Sequence, residues 1–399
     1  MKRRSFLVGT SALALSQLAS GCSSQQASLR VQLLKNSIPA QLVGGFRRTL
    51  KQSAVLKFDP AEQLDDLFTL LNSWKQQAKE KDSQQSPFLP FLEFIPFIPK
   101  KTPRRADLVT LGHYWLDSAI QEQLIQPLKI EDLKAWQQLP NRWQQLVKRD
   151  SQGQRSDSGL IWGAPYRWGT TVIAYDSDKF KELGWTPKDW SDLWRPELRD
   201  RISLLDQPRE GIGLVLKKLG YSYNTTNLNQ VSKLKEELQS LHRQAKFYSS
   251  NHYLEPLVLG DTWLAVGWST DVLSAQSTYR QIEFVVPESG TALWADLWVQ
   301  PISGANPSNS AKIDERTSLM KQWIDFCWQP KSAIEISLFA KGISPAIANI
   351  NPKDLTKNLR ENSLLLPDSP VFEKSEFLQP LPQPAMEQYE ALWNEIRLN

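Results

Sequence analysis

What most constrains the fold of this chain is a recurring alternation of short apolar runs with helix-spaced stretches, carried from Leu29 to near the C-terminus. Leu29, Val31 and Leu33 alternate as a half-buried strand does, and a helix is expected after Ser37-Ile-Pro39. Ala106–Val109, Thr171–Ala174, Arg201–Leu205, Trp263–Val266, Glu283–Val286 and Leu297–Val299 read as further short strands, mostly separated by helical patterns. One such helix is marked by Val231, Leu234, Leu238 and Leu241, after the turn-and-cap cluster Asn224-Thr-Thr-Asn227. Strands alternating with helices imply an α/β architecture. The 399 residues are too many for one ordinary domain of roughly 150 residues, which gives two or three, and two lobes of about 180 residues would fit.

Composition narrows the class. Hydrophobic residues make up 41% and charged residues 23%, which excludes a polytopic membrane protein and argues against wholesale disorder. Lys and Arg number 47 against 43 Asp and Glu, but Lys2, Arg3 and Arg4 stand in an acid-free opening, so the rest of the chain is nearly neutral. No basic patch or stripe points to nucleic acid. The usage that stands out is tryptophan, at 16.

The opening has the three-part form of a signal peptide over residues 1–22: basic residues, an apolar stretch from Val8 to Ala19, then Ser20-Gly21-Cys22. Adjacent Arg3 and Arg4 before Ser-Phe-Leu resemble a twin-arginine leader, with an ordinary Sec leader as the alternative. Leu18-Ala-Ser-Gly-Cys22 resembles a lipoprotein cleavage box with Cys22 as the lipidated residue, although the leucine sits one place early. The other cysteine, Cys327, lies in a helix-spaced apolar stripe with Leu319, Trp323 and Phe326 and is expected to be a buried thiol. His113, His242 and His252 are scattered, and no metal-ligand spacing, P-loop, GxSxG or HExxH asks for a metal, a cofactor or catalysis.

Residues 76–105 differ from their surroundings. A polar stretch gives way to Pro87–Pro99, where Phe, Leu and Ile alternate with recurring prolines, and then to Lys100, Lys101, Arg104 and Arg105. Prolines at that density forbid a regular helix or central strand. The segment reads either as an inserted loop folded on its own lobe or as a docking segment for a membrane or partner.

Trp162-Gly-Ala-Pro-Tyr-Arg-Trp-Gly-Thr-Thr171 with Tyr175, then Trp190-Ser-Asp-Leu-Trp194-Arg-Pro196, resembles the signature of extracellular solute-binding proteins of ABC transporters, specifically the spermidine/putrescine receptors. The resemblance continues in order through Leu204–Glu210, Lys218–Thr226, Gly267-Trp268, Leu293–Asp296 and Gly342–Pro345. It implies the type II periplasmic-binding-protein fold, two α/β lobes joined by two crossovers with ligand in the cleft between them. The lobes are then expected at 29–170 with 297–345, and at 171–296 with 346–399. The implied function is capture of a polyamine in the periplasm for ABC transporter permease subunits, without enzymatic activity. Membrane contact is expected through the lipid anchor or residues 87–99. Another cation, an amino acid such as γ-aminobutyrate, or a non-transport interaction role on the same fold are the alternatives.

Linear polyammonium ions call for carboxylates at their ends and aromatic faces along the stem. The resemblance places Glu210, Trp268, Asp271, Trp294 and Asp296 at the ligand, and more weakly Ser37 and Tyr114. Asp296 is the sharpest, because an acid inside Leu293–Val299 would be costly to bury unpaired. Each has a plainer reading. Glu210 can be a first-turn acid of a helix capped by Asp206, Trp268 a strand-end aromatic, Asp271 a helix-start acid, Ser37 a helix-start hydroxyl and Tyr114 a core aromatic. Asp271 and Asp296 are expected to share one ammonium and Glu210 to take the other. Arg167 would repel a cation and is expected to face solvent. Asn36, Gly112, Gln207 and Ile343 depart from the family pattern and leave the exact ligand open.

Overall fold

A computed structural model describes residues 27–83, 104–302, 310–362 and 369–398. The leader with Cys22 and the Pro87–Pro99 segment lie outside the described residues. Among the described residues no helix is long and apolar enough to cross a membrane.

The first lobe starts with the expected strand, Ser28–Leu34. It pairs in parallel with Val55–Ala61 on one side and Leu108–Gly112 on the other. Parallel neighbours require crossover connections, and Ala40–Thr49 and Leu64–Ser83 supply helices for them. Ala40–Thr49 buries Leu42 and Phe46, one turn apart on a single face. Val55–Ala61 is not apparent in the sequence because it contains Pro60; the structure accommodates that proline by placing the strand at the sheet edge.

The second lobe repeats the arrangement. Leu264–Trp268 runs parallel to Ile202–Leu204, which runs parallel to Ala245–Tyr248. The helix Leu234–Gln244 buries Leu234, Leu238 and Leu241 as their spacing requires, and Val231 joins the same core from just before it.

Two long strands join the lobes. Ala164–Asp176 and Ala292–Pro301 run antiparallel, with Leu293 opposite Thr170, Trp294 opposite Gly169 and Asp296 opposite Arg167. The early half of Ala164–Asp176 packs into the first core, while its late half pairs with Leu264–Trp268 and Ile282–Val285. Ala292–Pro301 pairs onward with Leu108–Gly112. One sheet therefore continues from lobe to lobe, while the apolar side chains gather into separate cores around Trp298 and Trp323, and around Trp190 and Tyr223. Cys327 is fully buried in the first core, and burial pushes its thiol up.

The last boundary differs from the one expected. Residues from 346 onward do not move directly to the second lobe: Ile347, Leu355, Leu359 and Phe377 are buried in the first core. The second core resumes at Leu381 and continues with Tyr389 and Trp393 on the helix Gln383–Leu398. The apolar residues between 347 and 377, such as Ile350, Leu355 and Leu359, suit either core, so nothing local shows which core receives them. Asn224 secures the passage, donating to the Phe377 carbonyl at 3.0 Å and accepting from the Gln379 amide at 2.7 Å.

Leu359→Ala tests this assignment. A side chain with no accessible surface in the first core should cost about 2–5 kcal/mol in urea unfolding. A change under about 0.5 kcal/mol, the range of surface substitutions, would place it outside the core.

Candidate functional site

Side chains alternate across a strand, so Arg167, Gly169 and Thr171 share one face of Ala164–Asp176 where the two lobes meet. Gly169 is needed for close approach: a Cβ there would lie 2.2 Å from the Trp294 ring and 2.5 Å from the Ser269 hydroxyl. The Ser269 hydroxyl instead accepts from the Thr170 amide at 3.1 Å.

Arg167 overturns the expectation that it faces solvent. Its Nε and Nη2 donate to Asp296 Oδ2 at 2.9 and 2.5 Å, and Nη1 donates to the Ala340 carbonyl at 3.1 Å. The side chains are 7% and 3% exposed. The guanidinium carbon stands 5.6 Å from the centre of the Trp294 ring. Gly342 makes room, since a Cβ there would sit 2.5 Å from Arg167 Cγ, and Ile343 beside it exchanges backbone hydrogen bonds with Trp168 at 2.9 and 2.8 Å. The physical reason is the cross-strand register, which gives the arginine a carboxylate directly opposite. Burial pushes the Asp296 carboxyl up against the pull of Arg167, and burial of Arg167 is outweighed by Asp296, which keeps the guanidinium charged.

Glu210 lies in the first turn of Pro208–Lys218 and is buried. The expected cap is not there. Gln207 holds the N-cap position without a side-chain bond, while Asp206 turns to Trp393 Nε1 at 3.1 Å and Arg397 Nε at 3.3 Å. Thr171 Oγ1 lies 3.1 and 3.0 Å from the two Glu210 oxygens and donates to the carboxylate. Burial pushes Glu210 up to about 7, opposed by the hydrogen bonds from Thr171 and Trp268 and by the Arg209 charge. Arg209 itself donates to the Gln379 carbonyl and to Asn224. Gln207 is bonded to Ser250 at 3.0 Å in an exposed position.

Trp268 ends the strand Leu264–Trp268 opposite Thr171, and Asp271 follows in the helix Ser269–Gln276. Tyr253 ties them together: its hydroxyl donates to Asp271 Oδ2 at 2.7 Å and accepts from the Trp268 amide at 3.0 Å, with the rings edge to face at 5.9 Å. A Cβ on Gly267 would fall 1.7 Å from the Tyr253 ring. Tyr253 was not apparent from sequence, because no local pattern joins it to an acid eighteen residues later. Water reaches Asp271, yet the surrounding protein pushes its carboxyl up, opposed by the bonds from Tyr253 and Thr270. Asp271 also pulls on Arg167, so the guanidinium is placed between the influence of two acids expected to share a ligand ammonium.

On the first lobe, Tyr114 follows the strand Leu108–Gly112 and is 41% exposed, its phenol raised by burial and by the nearby charges of Asp65 and Asp296. Ser37 has no accessible surface; its hydroxyl accepts from Tyr166 at 3.0 Å, and Tyr166 stacks on Trp298 at 4.0 Å. Ser37 thus lies behind Tyr166 and not at an open surface. Trp294 is partly exposed, and its buried Nε1 has no hydrogen-bond partner among the described residues. Glu210, Trp268, Asp271, Trp294 and Asp296 are therefore linked, through Thr171, Gly169 and Arg167, along one stretch of the interlobe strands. Among the described residues no three His, Cys, Asp or Glu side chains are grouped to hold a metal ion.

Residues 104–369 match the family described as Bacterial extracellular solute-binding protein. A spermidine/putrescine-binding periplasmic protein of Salmonella typhimurium is 27% identical over 271 residues, which are 68% of this chain and 72% of that protein. A putrescine/cadaverine-binding protein of Pseudomonas aeruginosa is 29% identical over 257 residues, 61% of this chain and 68% of that one. The solved structure of a spermidine/putrescine ABC transporter substrate-binding protein from Streptococcus pneumoniae superposes with a TM-score of 0.73 at 18% identity, covering 94% of this chain and 99% of its own. At that identity the likeness speaks for the fold.

Carboxyl-detected NMR titration should show Glu210 ionising near pH 7. A midpoint at the ordinary glutamate value of about 4.3 would contradict the buried placement.

Proposed function

We propose that this chain, which belongs to the bacterial extracellular solute-binding protein family, is the capture component of a polyamine ABC importer, holding its ligand in the cleft between two lobes. It is a solute-binding component and not an enzyme. The observation that carries the polyamine reading is that Glu210 and Asp271, on either side of Trp268, take part in no salt bridge among the described residues. Carboxylates held by neutral hydroxyls beside an aromatic face are a receiver for ammonium groups and the methylene stem between them.

In this reading one ammonium docks on Glu210 and the stem lies along Trp268 towards Trp294. Asp271 faces the other charge, and Tyr114 closes the site from the first lobe. Asp296 acts from beneath, through Arg167, and Ser37 supports the site by orienting Tyr166. Closure turns on the crossover strands. Lys341 of the first lobe donates to the Leu273 carbonyl and the Ser277 hydroxyl of the second, both at 3.3 Å, contacts that opening would break. The periplasmic location of the relatives, the leader-like opening and Cys22 support export and lipid anchoring, with permease subunits as the partner. The Pro87–Pro99 segment is a candidate membrane or partner contact.

Isothermal titration with putrescine, spermidine, spermine and γ-aminobutyrate tests the reading. A cation needs Glu210 ionised, so protonation competes with binding below pH 7 and affinity falls as pH drops through that value. Between pH 8 and pH 6 the loss should be about tenfold by linkage, and Glu210→Gln should bind weakly at both. Binding of γ-aminobutyrate alone, or of none of these ligands, would contradict the proposal.

A further inference from the structure

We propose that Arg167 is a specificity-determining residue: its guanidinium occupies the place of a third ligand ammonium, so that the cleft takes diamines and turns triamines away. This rests on the reading of the cleft as a polyamine site. Three carboxylates belong to it, Glu210 and Asp271 in its wall and Asp296 beneath, and Arg167 is the basic side chain bonded to one of them. Arg209 adjoins Glu210 in the chain and its charge acts on that carboxyl, but its hydrogen bonds go to the Gln379 and Tyr223 carbonyls and Asn224, and none goes to Glu210. Two acids are left to be matched from outside, which is the charge of a diamine.

The placement supports substitution rather than an incidental contact. Asp296 Oδ2 receives two N–H bonds from the guanidinium, as it would from a ligand cation. The face of Trp294, the natural platform for a cationic stem, stands near the guanidinium carbon instead. Arg167 is also held by the Ala340 carbonyl and fits the gap left by Gly342. A ligand ammonium would have to displace a tethered cation whose effective concentration is high. A third ammonium extending towards Asp296 would meet a fixed positive charge, and such a repulsive element discriminates between ligands that share every other contact.

The test compares putrescine and spermidine by isothermal titration in the parent, Arg167→Met, Arg167→Lys and the double variant Arg167→Met/Asp296→Asn. The parent should bind putrescine at least about tenfold more tightly than spermidine. Arg167→Met uncovers Asp296 and should move the ratio at least about tenfold towards spermidine, whereas Arg167→Lys keeps the cation and the parent order. The double variant carries no uncompensated buried acid and should return to the parent order. If Arg167→Met folds poorly on its own, spermidine should raise its melting temperature more than putrescine does, and equal shifts overturn the proposal. So does a parent that binds spermidine as tightly as putrescine, or an unchanged ratio in Arg167→Met. A parent that binds no polyamine overturns the underlying reading, and this inference with it.

Discussion

A buried ion pair between the two crossover strands, Arg167 with Asp296, is the contact on which the rest of the cleft depends. Burying two charges costs several kcal/mol per ion, and attraction offsets this only with good geometry and the remaining donors satisfied. Three of the guanidinium's five N–H donors are used in this way: two converge on one carboxylate oxygen, and a third reaches the Ala340 carbonyl. The pair also marks a register. A slip by one residue would send every side chain of either strand to the opposite face, separating the charges and turning Trp294 into the sheet. Immediately after Asp296 the register shifts, and Leu297 and Trp298 enter the first core.

The electrostatics of the cleft follow from that pair. Its floor is neutralised from within, while the second-lobe wall keeps Glu210 and Asp271 bonded only to neutral groups. Burial holds Glu210 near the point where its charge is lost at neutral pH, and an arriving cation favours the ionised form. In the proposed polyamine reading, ligand charge and protonation state are thus coupled at one residue, and selectivity for the number of charges is set at the other end of the site, by the guanidinium.

Much of this arrangement was legible in the sequence. Alternation located Ser28–Leu34, and short apolar runs located Ile202–Leu204, Leu264–Trp268 and parts of the two crossover strands, because strands buried on both faces read as continuous apolar runs. The resemblance to the spermidine/putrescine receptors pointed to the acids and tryptophans that the structure gathers around Thr171 and Gly169. Side-chain partnership was not legible. On its own Arg167 reads as a solvent-facing cation, although its partner stands directly opposite on the neighbouring strand, 129 residues later in the chain. Tyr253 carries no local signal, and the apolar residues from 347 to 377 suit either core. Long-range register decides all three, and a single sequence does not display it.

The most direct measurement is a crystal structure of the chain with putrescine bound. The account predicts one ammonium within about 3 Å of the Glu210 carboxylate, the stem against Trp268, and Arg167 still bonded to Asp296. A ligand ammonium on Asp296, with Arg167 displaced from it, would contradict the account.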